Sequence, residues 1–108
     1  MSAWGGLTAV LAAALLSASP AALPADGGAQ VEIKHFMFTP ERITIHPGTT
    51  LRWVNRDEEP HTIVSMDGIF RSQAVDGGET FTFRFDTPGT YRYVCTVHPQ
   101  MTGTVVVE

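Results

Sequence analysis

Near the C-terminus, the segment Tyr93-Val94-Cys95-Thr96-Val97-His98-Pro99-Gln100-Met101 sets a thiol, an imidazole and a thioether three residues apart. Pro99 lacks an N–H and restricts His98 before it, so the segment does not continue as a helix. A tight loop can instead fold the three donors around one point. A fourth donor must come from elsewhere, and His61, directly after Pro60 at the start of a strand-like run, is well placed to supply it. Ligand type then selects the metal. Two imidazoles and one thiolate with a weak axial thioether form the trigonal set associated with copper. Zinc would accept the histidines and the cysteine but gains little from methionine, and structural zinc sites usually carry two or more cysteines. Covalent haem attachment would need Cys-x-x-Cys-His, which is absent. Copper is the metal this donor set fits best.

The same residues taken singly have plainer readings. A lone cysteine is more often a small buried hydrophobe, and a lone methionine is more often core filler. Cys95 is, however, the only cysteine of the chain, so no intrachain disulfide can form. In an oxidising compartment an unpaired thiol is a liability unless it is buried or bonded, and metal ligation is one permanent solution. His35 and His46 are not nominated as ligands. His46 precedes the Pro47-Gly48 turn and reads as solvated, and His35 has no partner pattern around it. The acidic run Asp57-Glu58-Glu59 reads as a solvated loop whose charge could steer a basic partner.

A loop site needs a rigid frame, and the pattern from Ala29 onward supplies strands rather than helices. Val31 and Ile33 alternate with Glu32 and Lys34, while Phe36 and Phe38 fall on the opposite parity, which places a bulge or bend near His35. Ile43 and Ile45 alternate up to Pro47-Gly48, and Leu51 and Trp53 continue on Thr50 to Asn55. His61 to Ser65 reads as a strand. Met66 to Gly78 reads as loop with at most one short strand. Thr80 to Phe85 puts Phe81, Phe83 and Phe85 on one face, Thr90 to Cys95 follows the Pro88-Gly89 turn, and Gly103 to Glu108 is a valine-rich terminal strand. Seven or eight short strands in a chain of this size imply an all-β, two-sheet sandwich with Greek-key connections. Trp53 and the phenylalanine stripe are core residues of that sandwich.

With 108 residues the chain fits one domain. Leu7 to Leu16 is an apolar run too short for a bilayer, which takes about 20 such residues. It reads as the core of a secretory leader over residues 1–25, with cleavage between 21 and 29 and the folded domain at 26–108. The leader is atypical in one respect, because the first basic side chain is Lys34. The net charge of −4 therefore belongs to the domain, and an acidic surface argues against nucleic-acid binding. The mature chain is expected to make no stable membrane insertion.

The combination of Phe38-Thr39-Pro40, Pro47-Gly48, Trp53-Val54-Asn55, Pro60-His61-Thr62 and Cys95-x-x-His98-x-x-Met101, ending in Gly103-Thr104-Val105-Val106-Val107, resembles the cupredoxin family. The two-residue spacing on either side of His98 is like that of the short-loop amicyanins, and the match covers about residues 30 to 108. The resemblance implies an eight-stranded Greek-key sandwich with one type 1 copper at one end. It implies His61, Cys95 and His98 as equatorial ligands and Met101 as the axial one. By the same match the protein would be a monomeric, periplasmic or otherwise exported electron carrier. It would be no enzyme, and its partners would be redox proteins such as a c-type cytochrome or a periplasmic dehydrogenase. The alternative, a periplasmic copper-binding or copper-delivery protein, would more often expose methionine- or histidine-rich tracts, and the chain has none. A multicopper enzyme would need further ligands and domains. One position departs from the family: several members carry asparagine after the first histidine ligand, where this chain has Thr62, whose hydroxyl can both donate and accept.

Overall fold

A computed structural model describes residues 28–108, so the leader expected over residues 1–25 lies outside the described residues. Eight strands follow in order: β1 Gln30–Lys34, β2 Met37–Thr39, β3 Arg42–Ile45, β4 Thr49–Asn55, β5 Val64–Ser65, β6 Thr80–Phe85, β7 Gly89–Val94 and β8 Thr102–Val107. They form two four-stranded sheets, ordered β2-β1-β4-β6 and β3-β8-β7-β5. The β1–β4 and β3–β8 pairs are parallel and the remaining pairs antiparallel. Among the described residues no helix is long and apolar enough to cross a membrane.

Period-two alternation explains why these segments are strands. In β6 the odd positions Phe81, Phe83 and Phe85 turn inward while their neighbours are exposed, and in β8 Gly103, Val105 and Val107 are buried. The two inner faces enclose Trp53, whose ring lies 5.7 Å from Phe70, 5.6 Å from Phe81 and 5.5 Å from Tyr93, centroid to centroid. Offset and edge contacts of this kind add to simple area burial. Gly103 faces Tyr93 across the β7–β8 pair, and a Cβ there would collide with the Tyr93 ring. Glycine at this position lets β8 pass directly over the aromatic side chain.

One expectation needs correction. His61 to Ser65 is not one strand: only Val64–Ser65 pairs as such, while His61 makes an isolated bridge to Val75. The reason is local competition, since the Ile63 N–H is taken by the Ser72 hydroxyl rather than by a neighbouring strand. Of the bulge or bend expected near His35 the chain makes the bend, as a two-residue hairpin turn, because Lys34 pairs with Met37 and leaves only His35 and Phe36 between the strands. Both turn residues have positive φ, 55° and 57°. Paired left-handed residues suit a hairpin of this length but usually call for asparagine and glycine, the conformation costing other residues about 1–2 kcal/mol each.

Candidate metal centre

The strands end so that four loops converge at one pole of the sandwich. β7 delivers Cys95, fully buried, one residue past its last ladder pair. The loop that follows closes on itself: Cys95 N–H donates to the Met101 carbonyl at 3.0 Å, and Met101 N–H donates to the His98 carbonyl at 2.8 Å. This double closure is possible in so few residues because Pro99 occupies the turn, where its missing N–H needs no partner. His61 is brought from the other side by its backbone bridge to Val75, with N···O distances of 3.1 and 2.7 Å.

The three side chains meet. One donor atom from each of His61, Cys95 and His98 lies within 4.8 Å of the others, and Cys95 Sγ stands 3.8 Å from His61 Nδ1 and 3.9 Å from His98 Nδ1. Nitrogen and sulfur donors sharing one trigonal metal at about 2.0 and 2.3 Å would be separated by roughly 3.7 Å. The spacing therefore suits a single ion held by three protein donors. Met101 closes the same loop and is buried, while His35 and His46 are exposed and neither joins the cluster of donor atoms. His46 Nδ1 lies 3.1 Å from the Glu108 carbonyl oxygen.

Protonation states favour metal ligation. His61 Nε2 lies 2.9 Å from Asp57 Oδ2, an atom that can only accept, so the neutral ring carries its proton on Nε2 and leaves the Nδ1 lone pair facing Cys95. Burial pushes the Cys95 thiol up, but hydrogen bonding to the sulfur, first of all from the Thr62 N–H, outweighs it and holds the thiol down to about 6 from 9.0. The thiolate, which is the ligating form, is thus stabilised before any metal is bound.

Three residues around the centre were not assigned a role from sequence. Asp57, read there as part of a solvated run, accepts the N–H groups of His35 and Phe36 at 2.8 and 2.9 Å as well as the His61 proton. Burial raises its carboxyl, and these three hydrogen bonds, from Phe36, His35 and His61, bring it below its ordinary value. Asn55, fully buried, holds Asp57 in place by accepting its N–H at 2.9 Å while donating to the Glu59 and Val75 carbonyls. The Asn-x-Asp spacing at the end of a strand is a recognisable Asx-turn signal. The third residue is Phe36, whose ring lies against both imidazoles. Thr62, by contrast, does what its hydroxyl allows. Its Oγ1 accepts the Thr96 N–H at 2.8 Å and lies 2.8 Å from Thr96 Oγ1, linking the His61 loop to the Cys95 loop.

A two-sheet sandwich that gathers two histidines and one cysteine at its pole defines a class of protein, and the chain belongs to the cupredoxin-like family, whose model matches residues 7–107. Within that family it is similar to amicyanins. Amicyanin-alpha of Methylorubrum extorquens is 38% identical over 106 residues, spanning 94% of this chain and 87% of that one. Amicyanin of Paracoccus denitrificans is 36% identical over 112 residues, spanning 95% and 86%. A solved structure of a methionine-to-alanine mutant of amicyanin in its Cu(I) form superimposes with a TM-score of 0.73 at 31% identity. That superposition covers 79% of this chain and 86% of the other.

Proposed function

We propose that this protein is an exported, periplasmic-type electron carrier with one type 1 copper, held by His61, Cys95 and His98 with Met101 as the axial donor. The observation that carries the reading is the triangle of His61 Nδ1, Cys95 Sγ and His98 Nδ1, with the thiol already shifted toward thiolate. Copper bound there would supply a one-electron couple between Cu(I) and Cu(II). The chain's own residues do the rest. Asp57 fixes the His61 tautomer and ring plane, Thr62 ties the two ligand loops, and the double closure from Cys95 to Met101 keeps the loop from relaxing when the charge at the centre changes. Three strong donors and a buried Met101 leave no position for a substrate, which is the arrangement of a carrier rather than a catalyst.

His98 is the only one of the three clustered donors that is partly exposed, and its neighbour Val97 is exposed as well. Electrons would pass through this edge to redox partners such as a c-type cytochrome or a periplasmic dehydrogenase, each of which needs only to touch an apolar surface there. Titration of the protein with copper, followed by visible absorption and metal analysis, tests the reading. One copper per chain and an intense thiolate-to-copper charge-transfer band are expected. A colourless product, or more than one copper per chain, would sink it.

A further inference from the structure

Phe36 departs from local rules twice. It is a large apolar residue left 40% exposed, and it sits at φ 57° beside His35 at 55° in a two-residue turn that asparagine and glycine would fill without crowding. The structure spends polar contacts to keep it there. Asp57 accepts both turn N–H groups, one on each carboxylate oxygen, and the oxygen bonded to Phe36 also takes the His61 proton. One carboxylate thereby ties the turn to the histidine. The result is a ring set edge-on to His61 at 5.4 Å and 84°, and to His98 at 5.0 Å and 72°. Unfavourable backbone held in place at a site is an observation from which function can be argued.

We propose that Phe36 is a positioning residue of the metal centre. Its ring holds the imidazoles of His61 and His98 in their converging pose and screens them from water, and the left-handed His35–Phe36 turn exists to place it. The inference rests on the copper-carrier reading above. Screening matters chemically because the apolar shell around a metal controls solvent access and local dielectric, and hence retention of the ion and its reduction potential. With the ring gone, water would favour the more highly charged oxidised state. The potential would fall, and His98, the partly exposed donor, would be freer to swing away.

The test uses Phe36→Gly, which relieves the turn while removing the ring, and Phe36→Tyr, which keeps the ring. The metal-free Phe36→Gly protein is expected to melt no lower than the wild type, since glycine adopts positive φ without strain. Its copper-loaded form is expected to lose copper to a competing chelator about tenfold faster or more, and to show a lower reduction potential. Phe36→Tyr should restore both. If either the extraction rate or the potential of Phe36→Gly stays at the wild-type value, the proposal is overturned, whatever the melting temperature does. Wild-type protein that takes up no copper, or shows no thiolate band, would instead remove the carrier reading itself.

Discussion

The aromatic core and the metal pole of this sandwich are built by different means, and Tyr93, two residues before Cys95, packs on Trp53. Around Trp53 the core follows the pleat: inward positions are apolar, neighbours across the sheet are aromatic or branched, and position depends on size. Around Cys95 nearly every residue breaks a local preference. The cluster holds a buried histidine, a buried asparagine, a thiol with a lowered pKa and two non-glycine residues at positive φ. The core is stabilised by many interchangeable contacts. The metal pole depends on specific hydrogen bonds between particular donors and acceptors, so the two should respond to substitution in opposite ways.

Cys95→Ser gives the largest contrast. The thiolate-to-copper band should vanish entirely, while the metal-free fold survives, because a hydroxyl of similar size can still accept the Thr62 N–H that now reaches the sulfur at 3.4 Å. A coloured Cys95→Ser protein would show that Cys95 is not the ligand. Trp53→Ala reverses the pattern. It should cost about 3–5 kcal/mol of stability, read by denaturant unfolding, because the ring is fully buried and its neighbours cannot collapse onto the gap. The protein that remains folded should keep an unshifted visible band. A shifted band would mean that the core sets ligand positions directly and that core and metal pole are not separable.

Tyr93 tests the boundary. Its ring packs on Trp53 and Phe38, its hydroxyl has no hydrogen-bond partner among the described residues, and burial pushes its pKa from 10.0 up to about 12. A folded-state pKa above the unfolded one contributes stability that is fully present below about pH 10. It declines as the unfolded chain ionises and is gone once the folded tyrosine ionises near 12. Tyr93→Phe lacks that decline, so its stability relative to wild type should rise between pH 10 and 12 by on the order of 2 kcal/mol. Parallel pH profiles of the two proteins would show that the hydroxyl ionises as freely in the fold as outside it.

These differences also explain what could be read from the sequence. Alternation identified β6 to the residue and placed Trp53, Leu51, Val31 and Ile33 inside, because apolar burial leaves a periodic trace. The convergence of His61, Cys95 and His98 was legible from donor chemistry, spacing and family resemblance together. The hairpin at His35–Phe36 was not, since its left-handed turn is held by Asp57 from 21 and 22 positions away and carries none of the usual turn residues. For the same reason Asp57 looked like one charge in a solvated run. Long-range hydrogen bonds have no period. His61–Ser65 carries a strand-like pattern without being one strand, because β-branched residues suit extended backbone whether or not a ladder partner is present.

The smallest expected effect concerns the tie between the two ligand loops. Thr62→Val keeps the shape of the side chain and the backbone N–H to Cys95 Sγ, and removes the Oγ1 contacts to Thr96 N and Oγ1 together with the long one to Cys95 Sγ at 3.8 Å. Thr96 is exposed, so water can take over both of its groups, and the loss should be about 1 kcal/mol or less. Thermal melting of the metal-free protein should fall by about 4–8 °C at most. Copper should still bind, with a displaced visible band, because the loops can now shift against each other while the donors remain. Thr62→Asn, which reaches further across the same gap with an amide, should return the band toward its wild-type position. If Thr62→Val loses its copper instead, the hydroxyl is as indispensable as the donors, and Thr62 belongs with the irreplaceable contacts of the metal pole. A band and a melting temperature that both stay unchanged would place it with the interchangeable ones.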